Sequence, residues 1–292
     1  MNNQSRSLRT AAWLGWQLES NWTSPWLFAL YVIFKPLCSS LLLVCMYFAA
    51  RIATDGAVPV AFLPYLYISN ACYMLVGAVA FGMSYAVVTD REHYRMLKYI
   101  YITPVHLQTY FVGRGLAGAA EATVGALINL TIGALCFSDV RHAFTAHDTE
   151  WGWLFVYLVI GLTMLVSLGL IMASILLNMA RHGMFLSEGV AGMLYLLSGA
   201  VFPIAVLPLV LRWMSLGLPP TYWMEGMRRA LLGPPANDST MLHSPLTEWS
   251  HTELALALLI STFVMVVLSQ VLFRWSERRA WRLGRIEETT GV

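Results

Sequence analysis

Charged residues are scarce in this sequence. Of its 292 residues only 12% are Asp, Glu, Lys or Arg, while 58% are hydrophobic. Soluble domains carry about 25% charged residues, so the composition is typical of a protein embedded in a lipid membrane. The formal net charge of +2 is too small to indicate a nucleic-acid partner, and we expect none.

The sequence also lacks the short motifs that mark nucleotide binding and hydrolysis. It has no GxxxxGK[ST] phosphate-binding loop, so we expect that the chain does not bind ATP by that device. It has no HExxH or GxSxG motif. The four cysteines lie in apolar runs, and no pair has the spacing of metal ligands. We therefore predict no catalytic residue, no metal site and no cofactor bound by this chain.

The first 25 residues lack the long apolar core of a cleavable signal peptide. They do have helical periodicity, since small and apolar residues fall on one face: Leu8, Ala11, Gly15, Leu18 and Trp22. This pattern predicts an amphipathic helix over residues 1–25 that lies in the cytoplasmic interface of the membrane.

Six apolar runs are long enough to predict transmembrane helices, because a spanning helix needs about 20 residues. They cover residues 26–50, 62–88, 109–137, 151–177, 184–200 and 252–273. The predicted fold is an all-α membrane protein, with one transmembrane domain over residues 1–292 and six transmembrane helices. An outer re-entrant helical pair, residues 201–233, precedes the last span, and residues 274–292 form a cytoplasmic tail.

Prolines decide the prediction for residues 201–233. This segment is apolar enough for a membrane, but it contains Pro203, Pro208, Pro219 and Pro220. Each interior proline removes a backbone donor and clashes with the preceding turn, which prevents one continuous spanning helix. Broken backbone at membrane depth needs cover from protein or from a water-filled cavity. We expect a segment that enters the bilayer, breaks and turns back beside an interface or a pathway.

Two charged side chains, Lys35 and Glu121, are candidate intramembrane polar sites. Lys35 precedes Pro36 in the first span, and Glu121 lies in the third. An intramembrane carboxylate marks a functional site by default, and a structural hydrogen bond to a neighbouring helix fits the pattern equally well. Arg114 has the helical phase to be considered as a partner for Glu121. Lys35 has two interpretations, a lysine that reaches toward the cytoplasm and a functional intramembrane lysine.

The distribution of lysine and arginine orients the chain. Cytoplasmic segments are usually enriched in both residues. With a cytoplasmic N-terminus, 13 of the 18 Lys and Arg residues fall on inner segments. The outer segments hold the other five: Arg51, Arg141, Arg212, Arg228 and Arg229. We therefore expect both termini, residues 89–106 and the turn at 178–183 to face the cytoplasm.

Two motifs resemble those of the membrane-spanning subunit of type 2 ABC transporters. The segment Asp90-Arg-Glu-His-Tyr-Arg-Met-Leu-Lys-Tyr-Ile, closed by Thr103-Pro104-Val105, is similar to the family's E-R-E-x-G-T-L-E-x-L … T-P segment. Ser198-Gly199-Ala-Val-Phe202-Pro203, continuing through Pro208 to Pro219-Pro220-Thr-Tyr222-Trp-Met-Glu225-Gly226-Met-Arg228, is similar to S-G-x-x-F-P … L-P … P-x-x-Y-x-x-E-x-x-R. The sequence departs from the first motif at His93-Tyr94 and at Lys98, where the family often has x-Gly and Glu.

The resemblance implies a complex of several subunits with separate roles in transport and ATP hydrolysis. Two permease subunits, identical or related, would form the pathway, and two cytoplasmic ABC ATPase subunits would bind ATP and Mg²⁺. It implies an ATPase-docking role for Asp90, Arg91, Glu92, Tyr94, Arg95, Leu97, Lys98, Pro104 and Arg181. It implies a role in the re-entrant exit for Ser198, Gly199, Phe202, Pro203, Pro208, Pro219, Tyr222, Glu225 and Arg228. The expected location is the inner membrane of a bacterial cell.

Two other functions remain open from the residues alone. An ion-coupled carrier or a channel could use Lys35 and Glu121, and a membrane-embedded lipid enzyme would need acids and bases within its spans. The substrate class is not readable, because the 11 Trp and 13 Tyr residues fit an interfacial aromatic belt as well as a pathway lining. Drugs, lipids and glycans all remain candidates.

Overall fold

A computed structural model describes residues 3–21, 24–179, 182–233 and 244–285. In these ranges every regular element is a helix, which confirms the all-α prediction. The α-helices are α1 (Asn3–Ser20), α2 (Pro25–Ala53), α3 (Phe62–Val76), α4 (Gly82–Val88), α5 (Leu97–Tyr101), α6 (Leu107–Cys136), α7 (Ser138–Ala146), α8 (Trp151–Asn178), α9 (Gly183–Leu197), α10 (Leu209–Leu216), α11 (Pro219–Leu232) and α12 (His251–Arg282).

Two π-helical turns extend α3 and α4 into one long helix. The turn Gly77–Phe81 joins α3 to α4, and the turn Thr89–His93 follows α4. The resulting helix, Phe62–His93, is 32 residues long. It is the most enclosed of the long helices, since most of its apolar stretch is buried inside the chain.

Five helices of the described residues are long and apolar enough to cross a membrane. They are α2, the Phe62–His93 helix, α6, α8 and α12. They match five of the six predicted spans, with ends shifted by a few residues in most cases. The last helix differs most, because it continues to Arg282 through residues predicted to be tail.

The predicted span 184–200 is a shorter helix. α9 contains 15 residues, and at 1.5 Å per residue it is about 22 Å long, against a hydrocarbon core of about 30 Å. It ends because Gly199 adopts a positive φ of 76°, a left-handed conformation that stops helices and that glycine takes without strain. The count of six spans therefore stays a prediction.

Close contacts between small residues hold α1 on α6. A Cβ added at Gly113 of α6 would lie 2.5 Å from the Cβ of Ala11 of α1, so only glycine permits this approach. Gly15 packs on Ala117 in the same way. The opposite face of α1 exposes Trp13, as an amphipathic helix should.

α8 lies at the centre of the other half of the fold. It packs against α12, α11 and α4. Trp223 of α11 is fully buried against Gly161 of α8, and its indole Nε1 donates to the carbonyl of Tyr157 over 3.0 Å. This hydrogen bond satisfies the polar atom of a side chain that otherwise fills the apolar core.

Candidate functional site

A large cavity opens between four elements of the described chain. It is bounded by α2, the Phe62–His93 helix, α6 and α9, and Leu18 and Glu19 of α1 close one end. Its volume is about 1130 Å³, which exceeds the usual 300–1,000 Å³ of a small-molecule pocket. We call it the α2–α9 cavity.

Lys35 and Glu121, the two candidate intramembrane polar residues, both line this cavity. Lys35 enters from α2, and its Nζ donates to the Tyr31 hydroxyl over 2.9 Å. Glu121 enters from α6 and is half-buried. Glu188 of α9 lies at the exposed rim, beside the hydroxyl of Tyr85. Four helices that are distant in sequence thus place charged and phenolic groups in one space.

A hydrogen-bonded amide joins three walls of the cavity. Asn70 of α3 donates from Nδ2 to the Ser40 hydroxyl of α2 over 2.9 Å. Its Oδ1 accepts from Ser39 over 3.2 Å and from the Tyr195 hydroxyl of α9 over 3.3 Å. Tyr195 also packs on Tyr73, with ring centroids 4.5 Å apart. These contacts satisfy polar groups that would otherwise face an apolar environment.

Arg114 does not pair with Glu121, which corrects one sequence-based hypothesis. Its Nη1 lies 3.9 Å from Asp90 Oδ1, and its Nη2 lies 3.8 Å from Glu19 Oε1. Tyr110 donates to the other Asp90 oxygen over 2.7 Å. The Arg114 guanidinium is thus directed toward Asp90 and Glu19, although Arg114 and Glu121 have nearly the same helical phase on α6.

These four residues, Glu19, Asp90, Tyr110 and Arg114, form what we call the floor network of the cavity. It connects α1, the π-helical turn Thr89–His93 and α6. The two Arg114 distances are longer than hydrogen bonds, and Asp90 Oδ1 and Arg114 Nη1 have no hydrogen-bond partner among the described residues. Charge attraction therefore holds the network, with room for it to tighten.

The predicted docking residues divide into an interior group and an exposed group. Asp90, Arg91 and Leu97 are buried, and Arg91 donates to the carbonyl of Leu176 at the end of α8 over 3.2 Å. Glu92 is half-buried and forms an ion pair with Arg91 at 3.2 Å. The interior residues fix the position of the segment, and a partner would not reach them without rearrangement.

The exposed docking residues follow a sharp change of chain direction. Arg95 has a positive φ of 52°, which ends the π-helical turn and starts α5. Tyr94, Arg95, Lys98 and Pro104 are all exposed. Arg181, the remaining predicted docking residue, lies outside the described residues. The exposed side chains of Tyr94, Arg95 and Lys98 therefore form a surface of mixed charged and aromatic groups at the end of the Phe62–His93 helix.

The proline-rich segment is broken, as predicted. Ser198 and Gly199 end α9, a 3-10 helix follows at Ile204–Val206, and Pro208 and Pro219 start α10 and α11. Pro203 is buried and Phe202 is exposed. Tyr222 donates to the carbonyl of Leu216 over 2.6 Å and fastens the two short helices together. Re-entry of this segment into a bilayer stays a prediction.

Glu225 and Arg228 form an ion pair that is buried in the fold. Glu225 Oε2 lies 2.7 Å from Arg228 Nη2, and Glu225 Oε1 lies 3.0 Å from Arg229 Nε. Burial alone would raise the pKa of the Glu225 carboxyl, but the two guanidiniums outweigh it and lower that pKa. The Arg229 guanidinium also donates hydrogen bonds to the carbonyls of Leu246 and Trp249.

Arg228 extends this cluster to two other elements. It donates to the Ser69 hydroxyl of α3 over 3.0 Å and to the Gly199 carbonyl over 2.9 Å. Its guanidinium lies 4.3 Å from the centroid of the Tyr65 ring, and Tyr65 donates to the same carbonyl over 2.8 Å. We call Tyr65, Ser69, Glu225, Arg228 and Arg229 the anchor cluster. It fixes α11 against α3 and the end of α9.

The sequence matches a family model described as ABC-2 type transporter over residues 9–232. The chain belongs to the ABC-2 type transporter family. The match runs from α1 to α11, so it includes the α2–α9 cavity, the floor network, the docking segment and the anchor cluster. This confirms the resemblance to the family. A search of the curated proteins finds no match to the sequence.

An ABC-2 membrane domain is a transport subunit, and members of this family generally work with an ATPase subunit. The family and the apolar helices together make the chain a multi-pass membrane protein. No group of three or more His, Cys, Asp or Glu side chains in the described ranges is placed to hold a metal ion. The absence of catalytic residues, metal and cofactor stays a prediction.

Sequence reasoning missed several residues of this ABC-2 membrane domain. Arg229, Tyr65 and Ser69 complete the anchor cluster, and Glu19 and Tyr110 complete the floor network. Tyr65, Ser69, Glu19 and Tyr110 are ordinary polar residues in their own segments, and their partners in these networks lie at least 20 positions away. The only local signal was the 225–229 spacing, which places a carboxylate and two guanidiniums within one turn of a helix.

Proposed function

We propose that this chain is the permease subunit of an ATP-driven exporter with separate ATPase subunits. Two copies of a cytoplasmic ABC ATPase would bind ATP and Mg²⁺, and a second permease, identical or related, would complete the pathway. The cargo would be hydrophobic or amphipathic, of the drug, lipid or glycan class. The complex would lie in a bacterial inner membrane with both termini of this chain in the cytoplasm.

The observation that carries this proposal is the position of the floor network. It lies at the end of a cavity large enough for cargo and includes Asp90, the first residue of the docking motif. A displacement of the docking segment would move the π-helical turn Thr89–His93 and, through Arg114, both α6 and α1. Packed helices transmit such shifts because they rearrange as units.

The exposed part of the docking segment supplies the contact. Tyr94 is 43% exposed, and Tyr99 and Ile102 are 59% and 79% exposed. An aromatic and apolar group of this kind, flanked by Arg95 and Lys98, is typical of a protein-binding surface. The buried residues Arg91 and Leu97 would hold this surface in shape, which gives them an indirect role in docking.

Co-purification tests the proposal. The tagged chain is purified from its native cells, and an ABC-type ATPase is identified by its peptide masses and by ATP hydrolysis. The double change Tyr94→Ala and Lys98→Ala should reduce ATPase recovery strongly while leaving the yield of the chain unchanged. The matched control is Arg141→Ala with Trp151→Ala, an exposed base and an exposed aromatic near α7 and the start of α8.

Equal ATPase recovery from both double variants would contradict the proposed docking surface. Failure to find any ABC-type ATPase with the unchanged chain would contradict the proposed complex itself.

Lys35 and Glu121 support a second candidate, an ion-coupled carrier or channel. Both line one cavity, and titratable groups in such positions mark ion pathways. Transport that continues in ATP-depleted vesicles and stops when the ion gradient is collapsed would favour this candidate. Transport that requires ATP on the ATPase side would favour the exporter.

A further inference from the structure

The charges that line the α2–α9 cavity are not balanced. Five charged side chains contribute to its lining: Glu19, Lys35, Arg114, Glu121 and Glu188. Arg114 lies between Glu19 and the buried Asp90, at 3.8 and 3.9 Å. Its positive charge is therefore compensated inside the floor network. One base, Lys35, is left against two acids, Glu121 and Glu188.

Neither remaining carboxylate has a basic partner. Across the described part of the chain, no Lys, Arg or His side chain lies within the 4.0 Å ion-pair distance of Glu121 or Glu188. The Lys35 ammonium is occupied by Tyr31, with a 2.9 Å hydrogen bond and a distance of 5.2 Å to the ring centroid. The cavity therefore offers acceptor groups for a positive charge.

Aromatic rings strengthen this preference. Tyr73, Tyr85 and Tyr195 line the cavity together with Tyr31. The faces of such rings attract cations, most strongly where water is excluded. An anionic ligand would find two carboxylates without a basic group at ion-pair distance in the described chain, with only Lys35 in its favour.

Most of the remaining lining is apolar and adaptable. It includes Leu42, Leu43, Met46, Met74 and Met184. Methionine side chains adjust to ligands of varied shape because they are unbranched and polarisable. This part of the cavity can hold an alkyl chain or fused rings while the polar groups hold a head group.

We infer that the α2–α9 cavity binds amphipathic cations, with an amine head group held by Glu121 and Glu188 and an apolar body held by the leucine and methionine side chains. That this binding is a step of transport rests on the proposed function. The binding itself needs neither ATP nor the ATPase, so the two proposals can fail separately.

The test uses the full chain in nanodiscs of zwitterionic phosphatidylcholine. The probe is monodansylcadaverine, a fluorescent primary amine, and its comparison is the N-acetyl derivative, which has the same ring system and no charge. Dansyl emission is followed during titration, with empty nanodiscs as the blank. We expect the amine to bind about ten-fold more tightly than its acetylated form, as for the loss of a charge-assisted hydrogen bond.

Three variants separate a charge effect from a structural one. Glu121→Gln and Glu188→Gln should each weaken amine binding about ten-fold and leave the acetylated probe unaffected. Lys35→Gln should strengthen amine binding, because it removes the one repelling charge. Glu248→Gln, at an exposed acid of the 244–249 loop outside the cavity, should change neither probe.

Equal affinity for the two probes in the unchanged chain would overturn the inference. So would unchanged amine binding in both glutamate variants, or weaker amine binding in Lys35→Gln. None of these outcomes would affect co-purification of an ATPase, which tests the proposed function.

Discussion

Replacing Arg228 by methionine removes a cation that joins α11 to α3 and to the end of α9. The arginine side chain is 5% exposed, so water does not replace the contacts that it loses. These contacts are the 2.7 Å ion pair with Glu225, the hydrogen bonds to Ser69 and to the Gly199 carbonyl, and the contact with the Tyr65 ring. Methionine fills similar space without any of them.

The expected loss of unfolding free energy depends on which contacts the partners of Arg228 retain. Removing one member of a buried ion pair costs about 3–5 kcal/mol. Glu225 retains Arg229 at 3.0 Å, so its charge stays compensated and the lower end applies. We expect Arg228→Met to reduce the free energy of unfolding by about 3 kcal/mol.

Glu225→Gln should be the more damaging change. It leaves the guanidiniums of Arg228 and Arg229 close together in the interior with no carboxylate between them. We expect a loss of about 4–5 kcal/mol, toward the upper end of the range for a broken buried pair.

The assay is thermal unfolding of the purified chain in detergent, followed by tryptophan fluorescence. By the scaling of globular domains of 150–250 residues, a loss of about 3 kcal/mol lowers Tm by roughly 6–12 °C. Arg274→Met serves as the control, since Arg274 is an exposed arginine of α12. If Arg228→Met unfolds at the same temperature as Arg274→Met, or Glu225→Gln is the milder of the two cluster variants, the reasoning about the anchor cluster is wrong.

Three further predictions concern the anchor cluster, the packing of α1 on α6 and the floor network. The arginines lower the pKa of the Glu225 carboxyl. The ionised carboxylate therefore contributes its full stabilisation of the fold above the usual carboxyl pKa of about 4.3, and this contribution is lost as pH falls through the lowered pKa. The Tm difference between the unchanged chain and Glu225→Gln should be constant from about pH 7 to 5 and should shrink in stronger acid. Gly113→Leu should push α1 off α6 and speed tryptic cleavage in α1, whereas Gly189→Leu, where nothing lies within 4 Å of the added Cβ, should not; equal cleavage rates would contradict the packing. Arg114→Met should preserve ATPase recovery but reduce substrate-stimulated ATP hydrolysis by about an order of magnitude, and unchanged stimulation would remove the floor network from the proposed mechanism.

Five of the expected spans could be read from local pattern because each is a continuous apolar run. The short α9 could not, since its end depends on the backbone conformation of Gly199. The run 184–200 looks uniform in sequence, and only the left-handed turn, with its carbonyl held by Tyr65 and Arg228, shows where the helix stops.

The burial of the docking segment also could not be predicted from the sequence. The motif Asp90-Arg91-Glu92 is charged, and charge in a connector predicts exposure. In the fold Asp90 is fully buried and Arg91 is 4% exposed, because Tyr110, Arg114 and the end of α8 supply polar partners from distant segments. A single sequence does not record such partners, so the pattern assigned interior and surface residues to one group.

The sequence alone determined the membrane class, the broken proline segment and the family, because hydrophobic runs, prolines and short motifs act locally along the chain. The tertiary structure alone decided that Lys35, Glu121 and Glu188 share one cavity and that Arg114 belongs to the floor network. Those groupings depend on how α2, α6 and α9 pack side by side. Residues 35, 121 and 188 are far apart in the chain, and no periodicity within a helix specifies which face of another helix it will meet.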